Sequence, residues 1–273
     1  MKLRGCLADC SRGGPTDMTP QTSAVSHNQQ VVAVGGDLVG SSQLHNRAEV
    51  QAILKSSIEK VNSEFASLLL VPFQIVLGDE FQAALKPHAL PDTLELTWRF
   101  PCLLYPVHVR FVIGLGGLDT PLLENPGEMD GEAFRRARDA LMTSPGTFYQ
   151  MRIVTGDAVV SELINHTLRL MEIVRSRWSD HHWEYVIAYQ DAGTQQGASD
   201  ILSVSRQAVS KGLNIASYRE LRKTREIDRN ASIAYCRNQM SCISPSATYW
   251  VAFRTMQPSR LHGQEVENAF RDA

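Results

Sequence analysis

Between Pro72 and Leu85, apolar residues fall at every second position on both sides of a Gly78-Asp79 pair: Phe73, Ile75 and Leu77 before it, Phe81, Ala83 and Leu85 after it. Period two around a two-residue, glycine-containing turn predicts a β-hairpin with Asp79 at its tip. Its neighbours then decide what kind of sheet it joins. Upstream, Val31 to Val34 is a short apolar run that enters Gly35-Gly36-Asp37 and reads as a strand ending in an acid. Between these two segments, Val50, Ile53, Leu54, Ile58, Val61, Phe65 and Leu68 recur at steps of three and four, so an amphipathic helix is predicted over 46–68, with Asn46 and Glu49 as its capping pair.

Downstream, residues 91–104 read as a helix. Pro106 to Leu118 reads as a buried strand ending in the Gly114-x-Gly116-Gly117 run, residues 130–142 as a helix with Ala133, Phe134, Ala137, Ala140 and Leu141 inward, and the stretch near Arg152 to Thr155 as another strand. Strand, helix, hairpin, helix, strand is the order of an α+β domain, here over 29–158, with helices covering one face of an antiparallel sheet.

The flanks differ in texture. Residues 1–28 are rich in Ser, Thr, Gly, Pro and Gln without hydrophobic period, which predicts a disordered leader; Met18 within it is an alternative start. Residues 160–189 read as helical, with Leu163, Leu170, Ile173, Val174 and Trp178 expected to point inward. In the segment 193–225, Thr194 is placed to cap a helix running to Leu202, Ser203-Val204-Ser205 to form a tight turn, and Ser205 to cap a second helix through Ala216. That spacing predicts a helix-turn-helix, with Ala198, Ile201, Val204, Val209 and Leu213 as its small core, inside a helical region over 159–229. Residues 230–273 form a C-terminal extension with one strand expected at Tyr249 to Phe253 and no assigned role.

Composition sets outer limits. With a net charge of -2 on 273 residues, the chain as a whole is not marked as a nucleic-acid or membrane-surface binder. No stretch reaches the roughly 20 apolar residues needed to cross a bilayer, so no membrane partner is expected. Five cysteines without paired CxxC spacing indicate neither a disulfide framework nor a zinc site, and a reducing, cytoplasmic compartment follows as the expectation.

Asp37 and Asp79 carry the chemistry. Each ends an apolar strand beside a glycine, where a carboxylate can hold a divalent cation, Mg (or Mn), while a phosphate approaches bare backbone. If the two strands pair, both carboxylates meet at one end of the sheet and can hold one or two metal ions that carry a nucleoside triphosphate. Gly36, Gly40 and Gly78 leave the backbone accessible, and Ser41 and Ser42 offer amides and hydroxyls to phosphate oxygens. Glu80 points the other way from Asp79 on a strand and is a weaker ligand. The competing reading makes both aspartates ordinary turn residues.

The blocks Gly36-Asp37-Leu38-Val39-Gly40-Ser41-Ser42, Leu77-Gly78-Asp79-Glu80-Phe81-Gln82, Arg110-Phe111-x-Ile113-Gly114-x-Gly116 and Asp130-Gly131-x-Ala133-Phe134-x-x-Ala137-Arg138-x-Ala140-Leu141 together resemble the SatD family, over about residues 30–225. They also resemble, more remotely, the palm domain of class III nucleotidyl cyclases and GGDEF-type diguanylate cyclases. That second resemblance implies a ferredoxin-like palm in which Asp37 and Asp79 are the two metal-binding aspartates, with Arg138 near the nucleotide. Active cyclases carry an Asn-x-Ala-Ala-Arg pattern on a late helix, whereas this chain reads Arg135-Arg136-Ala137-Arg138 there. The Asn is missing and the Arg is one residue out of register, a rotation of about 100° on a helix. Loss of one such donor to a charged transition state costs about 3 kcal/mol, or two to three orders of magnitude in rate. Nucleotide binding is therefore expected in preference to efficient cyclisation.

From Ser205 to Arg225 there are six basic residues against one acidic residue, Glu220. Ser205 to Lys211 resembles the recognition helix of bacterial winged or sigma-type helix-turn-helix proteins, which implies that Arg206, Gln207, Ser210 and Lys211 meet DNA. The sequence thus reads as a regulator that binds a Mg-nucleotide and DNA, expected as a homodimer. Its rivals are an active nucleotidyl cyclase or nucleotidyltransferase, and an interaction module whose basic helix docks on an acidic protein.

Overall fold

A computed structural model describes residues 29–40, 46–142 and 151–242, with side-chain surroundings to residue 238. The leader, Ser41, Ser42 and the Tyr249 to Phe253 segment lie outside the described residues. Five strands, β1 (Gln29–Leu38), β2 (Leu69–Leu77), β3 (Glu80–Leu85), β4 (Val109–Leu118) and β5 (Met151–Val154), form one sheet in the order β2-β3-β1-β4-β5. β1 runs antiparallel to both β3 and β4, and β2 and β3 form the hairpin with Gly78-Asp79 as its turn. β5 pairs parallel with β4, so the sheet is mixed rather than purely antiparallel as expected.

Helices cover both faces of the sheet, not one. On one face, α1 (Arg47–Glu64) and α2 (Leu90–Leu104) bring Leu54, Ile58, Leu94 and Phe100 against Val32, Val34, Phe81 and Phe111. Phe81 and Phe100 stack at 5.0 Å there, and Phe111 meets both rings edge-on. On the other face, α3 (Glu132–Met142) lays Ala133, Phe134, Ala137 and Ala140 on Val31, Ala33, Ala84 and Val112. The glycine run expected to end β4 lies inside it and is what lets α3 approach. A Cβ on Gly114 would sit 2.1 Å from the Ala133 carbonyl oxygen, and one on Gly116 2.8 Å from the Ala133 nitrogen.

α1 starts after Asn46 as expected, but the Asn46 amide donates to the Glu49 side chain, and no side chain caps the backbone. It stops at Glu64, four residues early, because Leu69 already belongs to β2.

The C-terminal half is helical: α4 (Ala158–Arg175), α5 (Asp180–Ala192), α6 (Gln195–Leu202), α7 (Arg206–Ile215) and α8 (Tyr218–Cys242). The 160–189 region is thus two helices, broken where Ser179 and His182 form a capping box at the start of α5. α6 and α7 have the expected caps: Thr194 accepts from the Gly197 amide at 3.0 Å and Ser205 from the Ala208 amide at 3.1 Å. Ser203, at φ 53°, makes the turn between them. Ala198, Val209 and Leu213 are buried as expected, but Ile201 (59% exposed) and Val204 (38%) face outward; Trp183, Val186 and Tyr218 supply the missing volume.

α2 belongs to two cores at once, with Trp98 and Cys102 turned into the helical half. α8 likewise runs through the expected boundary at 229/230 and returns Tyr235 and Cys236 to the sheet core. Among the described residues, no helix is long and apolar enough to cross a membrane.

Candidate functional site

The ends of β1, β4 and the β2-β3 hairpin meet at one rim. Register pairs Asp37 with Arg110, and the Arg110 guanidinium grips the Asp37 carboxylate with two bonds, Nε to Oδ1 at 2.7 Å and Nη2 to Oδ2. From the hairpin tip, Asp79 Oδ2 accepts the Leu38 amide at 3.3 Å. The two aspartates therefore converge beside Leu38, and Asp79 is bonded to β1 rather than to its own turn. Both carboxylates contribute to raising the Arg110 pKa, with the Asp37 hydrogen bond the largest influence.

Gly36 makes the convergence possible by its packing. A Cβ there would lie 2.5 Å from the Arg110 carbonyl oxygen and 2.5 Å from the Phe81 ring, while its backbone pairs with Phe81 on one side and Phe111 on the other. Gly40 (φ 69°) and Gly78 (φ 62°) occupy open turns with nothing within 4 Å of where a Cβ would stand, and the Gly78 carbonyl accepts from Gln51 at 3.4 Å. These turns need glycine for their backbone conformation.

Alternation along the strands puts Gly35 and Asp37 of β1, Glu80 and Gln82 of β3, and Arg110 and Val112 of β4 on the face that α3 only partly covers. Gly35, Glu80, Gln82, Val112 and Arg138 line a shallow cleft on that face. Glu80, the weaker ligand by strand alternation from Asp79, thereby shares the face of Asp37 and holds the Gln82 amide at 3.0 Å. Of the three α3 arginines, Arg135 bridges Asp119 (2.8 Å) and Asp130, and Arg136 pairs with Glu132 at 2.7 Å and bonds the Leu115 carbonyl. Arg138 alone of the three lines the cleft.

Among the described residues no cluster of three or more His, Cys, Asp or Glu side chains could cage a metal. Two carboxylates suit Mg²⁺ only where substrate phosphates and water complete its octahedron. The donor set does not fit an all-protein ion site. Arg110 is the site residue that sequence reasoning misses. It stands in one of the SatD-like motifs, but its role depends on strand register, which no local pattern reports.

In the helical half, α7 presents Arg206, Gln207 and Lys211 to solvent, while Ser210 is half-buried. Behind them Val209 and Leu213 are buried, and Gly212 lies so close to the Tyr185 ring that a Cβ would be 2.2 Å from it. Arg219, Arg222 and Lys223 of α8 are exposed, Lys223 pairing with Glu220 at 3.4 Å. Arg225, one of the six basic residues of this segment, does not join the basic surface but turns inward: it pairs with Glu95 at 3.2 Å and sits 4.9 Å over the Trp98 ring.

No curated protein matches this chain. The SatD family model matches residues 31–230, from β1 into α8, so the chain belongs to the SatD family.

Proposed function

We propose that the protein is a regulator that binds a Mg-nucleotide at the Asp37–Asp79 rim and DNA through α7. The reading rests on one observation, the meeting of two aspartates and an arginine at the end of β1. The strand order β2-β3-β1-β4, with α1 and α2 on one face, supports a ferredoxin-like palm, since it is the order of a β-α-β-β-α-β unit. In the proposed complex Asp37 and Asp79 hold the ion and the amides near Gly40 and Gly78 face the phosphates. With an ion bound, Arg110 would share Asp37 with it and could pair its guanidinium fork with two oxygens of a phosphate. Arg138 approaches along the cleft. Binding without efficient turnover fits an α3 on which Arg135 and Arg136 are held in ion pairs.

Calorimetric titration of the full chain with ATP and with GTP, each with and without Mg²⁺, tests the rim. Metal-dependent binding that Asp79→Asn weakens at least about tenfold, equivalent to 1.4 kcal/mol, is the expected result. Binding indifferent to Mg²⁺ and to Asp79→Asn refutes it, and cyclic or linked products would establish an enzyme instead. For α7, affinity for duplex DNA should fall steeply with salt and with Lys211→Ala. Absence of binding at low salt would leave a protein-docking helix as the better reading. A regulator reading two half-sites would act as a homodimer.

A further inference from the structure

Three side chains expected inward on the 160–189 region point outward from α4: Leu163 is 65% exposed, Leu170 63% and Ile173 37%, and Val159 joins them at 68%. Val159, Leu163, His166, Leu170 and Ile173 are spaced by four, three, four and three residues, which aligns them in one stripe along the helix. The inward stripe, Ile164, Leu168 and Met171, is packed on the protein's own cores. Val159, Glu162, Leu163 and His166 line an open, shallow depression along the first half of the outer stripe. Alternating steps of four and three form a seam that a second helix fills, unlike a scattered or flat apolar patch. From Val159 to Ile173 the seam is about 21 Å long, at 1.5 Å per residue.

The flank of the stripe identifies the occupant. Glu162 and Arg169 are seven residues apart on one side of the seam, both exposed. Antiparallel pairing with a second copy, about a twofold axis between Ile164 and Asn165, sets Leu163 against the partner's His166 and Val159 against the partner's Leu170. The same operation leaves Glu162 and the partner's Arg169 on one flank of the pair, about 3 Å apart along the helix axis at 1.5 Å per residue, within reach of these long side chains. A surface with opposite charges on either side of its own centre can complement itself, as a twofold interface requires. We infer that two copies of this chain associate through the α4 faces in an antiparallel helix pair. The interface shares no residue with the Asp37–Asp79 rim or with α7, so it stands whether or not nucleotide or DNA binds.

Sedimentation velocity of the full chain across a concentration series provides the test, with circular dichroism confirming that each variant is folded. The expected result is a dimer whose dissociation constant rises at least about tenfold in Leu163→Glu and in Leu170→Glu, a 1.4 kcal/mol effect. Glu162→Arg and Arg169→Glu should each weaken the dimer, and the double exchange should restore it, which only pairing between copies explains. A monomer at every concentration overturns the proposal, as does a dimer that both leucine variants leave intact. A monomer whose melting temperature drops in Leu163→Glu would show the stripe covered from within the chain, and would overturn it too.

Discussion

At the scale of single residues, the site depends on one absent side chain, and the pH response of the fold on one misplaced charge. Gly36 has no room for a methyl group between the Arg110 carbonyl and the Phe81 ring. Gly36→Ala should therefore lower stability by about 1–3 kcal/mol, the usual cost of overpacking, read as a lower urea midpoint. If the rim binds a nucleotide as proposed, that affinity should fall with it, since β1 and β4 must part where Asp37 meets Arg110. The charge is that of Asp228 on α8, a buried carboxyl pushed up to about 6 by burial, with Oδ2 lacking a hydrogen-bond partner among the described residues. Folded, it holds its proton more tightly than at its ordinary value of 3.8, so its contribution is complete below that value and is lost as pH rises through about 6. Asp228→Asn should flatten this decline and raise the melting temperature above pH 6, as a thermal denaturation series against pH will show. The sequence marks Gly36 only as bare backbone and does not mark Asp228, because both effects come from neighbours distant along the chain.

Elements are legible where their signals are local. The Gly78-Asp79 turn, the Thr194 and Ser205 caps and the Ser203 break need only a few consecutive residues, and all occur as expected. Ser205→Ala should accordingly destabilise α7 by about 1 kcal/mol, the typical value of a lost N-cap, measurable by chemical denaturation. If α7 meets DNA, the same change should weaken binding without removing any contact. Which face of a helix is buried is less legible. In α4 two apolar stripes share one helix, and Leu163 and Leu170 lie on the outer one, because periodicity cannot say which stripe finds a partner. In α6 and the turn after it, Ile201 and Val204 give way to Trp183 and Tyr218, larger side chains from other helices. The parallel pairing of β5 and the reach of Arg110 to Asp37 likewise follow from register across strands.

At the scale of the whole molecule, the chain does not divide where composition changes. Ile164 and Leu168 of α4 and Tyr235 and Cys236 of α8 complete the sheet core, and α2 is shared between both cores. Two cores built on one helix should unfold together. Thermal melting followed by far-ultraviolet circular dichroism should give a single transition, which Tyr235→Ala in one core and Val209→Ala in the other both lower; two separable transitions would refute this. Tyr235→Ala should cost about 3–5 kcal/mol, as for other buried aromatic truncations. The joint between the halves is aromatic: the Arg175 and Arg225 guanidinium groups stand 5.2 and 4.9 Å from the Trp98 ring, and Trp178 stands 6.0 Å from Trp98 and 4.9 Å from Trp183. Three of the four tryptophans of the chain thus occupy one joint, and Trp250 lies outside the described residues. Intrinsic fluorescence of this protein is in consequence chiefly a reporter of that joint, and indoles this near one another pass excitation among themselves. A ligand that shifts α2 by a fraction of its width will change the colour and yield of the emitted light without any label being attached.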